Sequence, residues 1–91
     1  MEDAMPQRIL ILDRSLLALN VFRVLFSHLD VAITGAKRLE EIPEHLLAPG
    51  KCSLIVVNSN CFEKNFNRYL DFFCDYKGTA HTPKIFLCRE S

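Results

Sequence analysis

The stretch SLIVVNSNCF, residues 53–62, opens with an apolar run through Val57 and passes directly into Asn58-Ser59-Asn60. An apolar segment this short, rich in β-branched side chains and closed by turn-formers, reads as a strand at 53–57 buried on both faces. Such strands belong to sheets covered by helices on both sides, so this stretch by itself points to an α/β architecture.

The flanking sequence repeats the signal. RILIL, residues 8–12, is a second buried run, closed by Asp13. From Ser15 the period lengthens, and SLLALNVFRVLFSHL, residues 15–29, reads as a long helix with Asp13 or Ser15 as its N-cap. VAIT, residues 31–34, is a short strand that Gly35 ends. AKRLEEIPEHLLAPG, residues 36–50, carries a short helix that Pro43 interrupts or restarts, and Pro49-Gly50 turns the chain. A third helix is predicted from about Glu63 to Tyr76, with Phe66, Tyr69, Leu70 and Phe73 at helical spacing. Gly78 and TAHTP form a loop before KIFLC, residues 84–88, the fourth strand. The resulting order β-α-β-α-β-α-β fills residues 1–91 as one domain. Helix-length connections between strands require a parallel, open, three-layer sheet with the first strand inside it.

Composition narrows the function. The 91 residues suffice for one hydrophobic core, and 49% apolar with 24% charged residues is the balance of a globular domain. Eleven basic and eleven acidic residues cancel, so no overall field draws the chain to nucleic acid or an anionic membrane. The longest apolar stretch, Leu16 to Phe26, is interrupted by Asn20 and Arg23 and falls short of the roughly 20 residues that span a bilayer. MEDAMPQR is acidic and mixed where a secretory leader is basic and then apolar, and a cytoplasmic location is expected. Cys52, Cys61, Cys74 and Cys88 lack the spacing of a redox motif or zinc knuckle, and are expected to be reduced and to pack.

In open α/β sheets, chemistry gathers beyond the carboxyl ends of the strands. Asp13, Asn58 and Cys88 stand at those ends, and no glycine-rich loop follows the first strand to cradle a phosphate. ILILDRS, then LIVVNSN, then TPKIFLC resemble, in order and spacing, the receiver domain of bacterial response regulators over nearly the whole chain. The resemblance implies a flavodoxin-like sheet of order 2-1-3-4, lacking the last strand and helix of the family. It also implies a site in which two acids after the first strand and an acceptor aspartate after the third hold Mg²⁺. Asp13 matches the first acid, Arg14 stands in place of the second, Asn58 in place of the acceptor, and Cys88 in place of a Thr or Ser that contacts the phosphoryl group. The backbone carbonyl of Asn60 matches a metal-binding carbonyl, Cys61-Phe62 replaces a usual Met-Pro pair, and the family's last lysine has no counterpart.

These departures remove the chemistry. An amide has no carboxylate oxygen to form an aspartyl phosphate. Mg²⁺ requires oxygen ligands with one or two carboxylates, and like charges about 4 Å apart repel by roughly 4 kcal/mol at an effective dielectric near 20, so Arg14 beside Asp13 disfavours the ion. The expectation is a degenerate receiver, the N-terminal part of a regulator, that binds no cofactor and acts through protein contacts. Asn58 also suits an ordinary turn and Asp13 a helix cap, while Arg14 either pairs with Asp13 or projects into solvent. The rival class is a small α/β thiol enzyme or redox sensor using Cys61 or Cys88; of His28, His45 and His81, only His81 is placed to act as a general base.

The first helix carries more apolar surface than one sheet face needs, since a surface helix usually shows a stripe of about 100°. In the receiver fold that helix shares its side of the sheet with the final helix, absent here. Leu17, Val21, Phe22, Leu25 and Leu29 are therefore expected to form an interface. A two-fold homodimer or a downstream output domain is the expected cover.

Overall fold

Six-residue β1, Gln7–Leu12, is the axis of the sheet. It pairs in parallel with β2, Val31–Ala36, on one side and with β3, Leu54–Asn58, on the other. β4, Lys84–Leu87, adds in parallel to β3 and completes the order β2-β1-β3-β4. The computed structural model describes residues 7–62, 64–75 and 78–87. The expected α/β class, all-parallel sheet and strand order 2-1-3-4 are all present. Among the described residues no helix is long and apolar enough to cross a membrane.

Strand alternation divides the core in two. Leu10, Leu12, Ile55 and Val57 are fully buried against Leu39, Ile42, Leu46, Leu47, Phe62, Tyr69 and Phe73. On the opposite face Ile11 and Val56 meet Leu19, with Ile9, Ile33, Leu54 and Phe22 packed around them. The first face is thickened by aromatic rings. Phe62 lies 5.1 Å from Phe66 and 5.5 Å from Phe86, and Phe66 lies 5.7 Å from Phe86, in tilted or edge-on geometries that suit the ring quadrupoles.

Several elements differ from expectation. The helix predicted through Leu29 is α1, Leu16–Leu25. Ser27 turns its hydroxyl onto the Val24 carbonyl at 2.8 Å, and its N–H reaches the same oxygen at 3.2 Å, which closes the last turn. Ser15, not Asp13, is the cap, accepting from the Ala18 N–H. Gly35 does not end β2, which continues to Ala36. A Cβ on Gly35 would stand 3.0 Å from Leu19 Cδ2, so the absent side chain lets α1 seat on the sheet. The segment around Pro43 forms two 3₁₀ turns, Leu39–Glu41 and Glu44–Leu47, in place of an α-helix. Proline has no N–H to continue a ladder, and it starts the second turn by accepting from Leu46 N–H. The third helix begins as a single turn, α2, Ser59–Phe62, and resumes as α3, Phe66–Asp75. Glu63, Tyr76 and Cys88, at the predicted boundaries, lie outside the described residues.

Gly78 meets the first face at its tightest point, where an added Cβ would fall 1.6 Å from the Leu47 carbonyl oxygen. That contact is backbone and cannot rotate away, whereas at Gly35 only the tips of Leu19 must move. Gly78→Ala is expected to lose at least about 2 kcal/mol of unfolding free energy. Gly35→Ala should lose clearly less, and urea unfolding of the two variants measures the difference.

Candidate functional site

The carboxyl ends of β1 and β3 bring Asp13, Asn58 and Asn60 together. Asp13 follows Leu12, fully buried at the end of β1, and its own N–H reaches the Ala36 carbonyl at 3.0 Å. Its carboxylate is only 1% exposed. A charge so buried must be met by donors, and three N–H groups meet it. Oδ1 accepts from the Ser15 N–H at 2.9 Å and from Asn60 Nδ2 at 2.7 Å, and Oδ2 accepts from Asn58 Nδ2 at 2.9 Å. The amides are held in turn. Asn58 Oδ1 accepts from the Asn60 N–H at 3.2 Å and the Ser59 hydroxyl at 3.4 Å, and Asn60 Oδ1 accepts from the Arg14 N–H at 3.1 Å.

Three of the predicted residues thus form one network, with Asn58 as the last residue of β3. Asn60 participates through its side chain, where the resemblance had implied its carbonyl. Arg14 enters only through its backbone; its side chain is exposed and makes no ion pair with Asp13, so the second alternative for Arg14 holds. Cys88 lies outside the described residues. Mg²⁺ does not fit this set. One carboxylate is present, its oxygens are taken by N–H donors, and the neighbouring amides turn their donor ends toward it. Among the described residues no three His, Cys, Asp or Glu side chains converge as metal ligands.

Beside the network opens a cleft of about 510 Å³. Arg14 from the loop after β1, Lys37 and Arg38 from the end of β2, and Arg68 from α3 line it, with Glu40, Asn65, Cys61 and Tyr69. Arg68 pairs with Glu40 at 2.5 Å and Arg38 with Glu41 at 3.3 Å; the Arg68 bond holds the Glu40 carboxyl below the usual range, and the Lys37 backbone N–H at 2.9 Å, with Arg38 beside it, does the same for Glu41. Of these cations only Arg14 stands out in the sequence, where a total charge of zero hides the grouping of Lys37, Arg38 and Arg68 around it. The signal was local: Lys37-Arg38 follows a strand end directly.

Cys61 ties the cleft to the network. Its thiol donates to the Lys37 carbonyl at 3.3 Å, and burial, then the nearby Asp13 charge, push it up to about 11. Such a thiol is protonated at neutral pH, and only the thiolate is a nucleophile. Cys52 is buried, its thiol likewise raised by desolvation, and Cys74 is exposed. No protein-family model, curated protein or solved structure matches this chain.

Two measurements test this geometry. Asn58→Asp replaces a donor 2.9 Å from Asp13 with a second carboxylate, and is expected to cost about 1–3 kcal/mol at neutral pH. One carboxyl then keeps its proton to higher pH in the folded chain than in the unfolded one. The loss should therefore be smallest below about pH 4 and grow toward neutrality, as denaturant midpoints across that range would record. Alkylation by iodoacetamide with mass-spectrometric mapping should modify exposed Cys74 first at neutral pH, with Cys61 reacting only as pH approaches its value of about 11.

Proposed function

We propose that this chain is a receiver-like signalling module of flavodoxin-like topology that works through protein contacts and accepts no phosphate. One observation carries the proposal: the amide of Asn58 stands at the strand end where the receiver family has its acceptor carboxylate, and it donates to Asp13. The hydrogen-bonded contact that a phosphoryl group and Mg²⁺ would otherwise occupy is thereby closed within the protein. The proposed setting is the cytoplasmic N-terminal part of a bacterial response regulator. The protonated thiol of Cys61 favours this reading over a thiol enzyme.

Contacts are proposed through α1. Leu17 is 73% exposed, Val24 70% and Leu25 58%, with Leu16, Val21 and Leu29 exposed beside them. Phe22 is packed against the core, so it is a weaker probe of this surface than Leu25. Ile85 and Leu87 of β4 are exposed, and Ile85 sits opposite Val56, on the face that α1 packs against. Helix flank and bare strand together make an apolar surface suited to a second copy, because a two-fold contact requires no further complementarity than a patch has with itself. Light scattering should give twice the chain mass, unchanged after incubation with acetyl phosphate and Mg²⁺, and the chain mass for Leu25→Glu. A phosphoryl adduct in the mass spectrum of the folded protein, or a monomer indifferent to Leu25→Glu, contradicts the proposal.

A further inference from the structure

The cleft beside Asp13 has no role in a contact made through α1, and its lining is lopsided. Four cations, Arg14, Lys37, Arg38 and Arg68, line it with one carboxylate, Glu40, and although Arg68 is paired with Glu40 and Arg38 with Glu41 just outside the lining, two positive charges are left over in a chain of zero formal charge. Among the described residues neither Arg14 nor Lys37 has a carboxylate within ion-pair distance. The cations come from three segments that the fold alone brings together, and the wall between them includes Tyr69, which is buried. We infer that the cleft is a binding site for a small molecule carrying two or more phosphate groups.

Three physical points favour that class. The volume, about 510 Å³, lies in the range of small-molecule sites, roughly 300–1,000 Å³, and a concave wall concentrates the field of its cations. Guanidinium forks match phosphate oxygens bidentately, and lysine adds a point charge. A single carboxylate or phosphate satisfies one fork, whereas cations spread over three segments call for a ligand with several charges. Side chains hold the phosphates here, which agrees with the lack of a glycine-rich backbone cradle after β1. Glu40 already occupies Arg68 and so competes with the ligand for it. The inference stands apart from the receiver proposal, since it requires neither phosphorylation nor a dimer.

Calorimetric titration of the 91-residue chain at low ionic strength tests it, with pyrophosphate and ADP as probes. Inorganic phosphate, citrate and an acidic hexapeptide serve as comparators. Pyrophosphate and ADP should bind at least about tenfold more tightly than the three comparators, and more weakly as salt is added. Tighter pyrophosphate than ADP binding would assign the site to the phosphates alone, and the reverse to a phosphorylated molecule with a further apolar part; both agree with the inference. Amide shifts in nuclear magnetic resonance spectra should map to Arg14, Lys37, Arg38, Asn65 and Arg68. The double variant Arg14→Ala with Lys37→Ala should lose about tenfold or more in affinity, while Lys51→Ala, on an exposed position outside the cleft, should change nothing. Glu40→Gln should bind several-fold more tightly, a gain that damaged folding cannot produce. Absence of binding at millimolar probe overturns the inference. So do equal affinity for citrate, tighter binding of the peptide, or indifference to the Arg14, Lys37 and Glu40 substitutions.

Discussion

Burial of one carboxylate organises the carboxyl end of the sheet. Asp13 is surrendered by water almost completely, and a charge in that position stays folded only if hydrogen-bond donors replace the lost hydration. The donors come from the start of α1, the end of β3 and the turn of α2, so satisfying Asp13 fixes three elements relative to β1. The Asp13 N–H adds β2 through Ala36. Neutral amides are well suited to this work. Each offers a donor to the carboxylate while its oxygen accepts a backbone N–H nearby, so the polar atoms of the cluster are paired without a second charge. Among the described residues no buried side-chain nitrogen or oxygen lacks a partner.

The two faces of the sheet are covered unequally. One carries the 3₁₀ turns, α2 and α3, with aromatic rings in contact from Phe62 to Phe86. Among the described residues the other carries α1 alone, seated where Gly35 leaves room for Leu19. Charge is divided as well. The buried donors around Asp13 are neutral, while the cations lie on the solvent side in pairs and singly. The pairs of Arg68 with Glu40 and Arg38 with Glu41 are exposed, where such bridges contribute little to stability. Their arrangement therefore bears on what approaches the cleft more than on how firmly the chain folds.

Strand identity was legible in the sequence because RILIL and SLIVV have a composition that only a doubly covered strand accommodates. Their spacing required long connections and hence parallel pairing. Three features were not legible. The helix-like run around Leu39 to Leu47 supplies apolar residues at helical intervals, but Pro43 cannot donate, and two tight 3₁₀ turns bury the same Leu39, Ile42, Leu46 and Leu47. Asn60 was assigned by its backbone, since side-chain direction two residues beyond a strand depends on the turn taken there. The turn of α2 aims its amide back to Asp13. Arg14 remained open for a similar reason, as neighbours in sequence on a turn need not face one another.

The position of β1 also has a consequence for synthesis. It emerges ahead of every other described strand, yet it lies between β2 and β3 and needs both neighbours. A nascent chain that has reached only β2 leaves one edge of β1 unpaired, with the hydrophobic side chains of Leu10 and Leu12 lacking the cover that β3 and the later helices bring. Contacts this distant along the chain form late, after the entropy of closing the intervening loops has been met. The amides that clasp Asp13 arrive with the same segment, 45 and 47 residues after it. Closure of that polar cluster thus coincides with docking of the central strands, and marks the stage at which the emerging polypeptide ceases to present the edge of β1 to other chains.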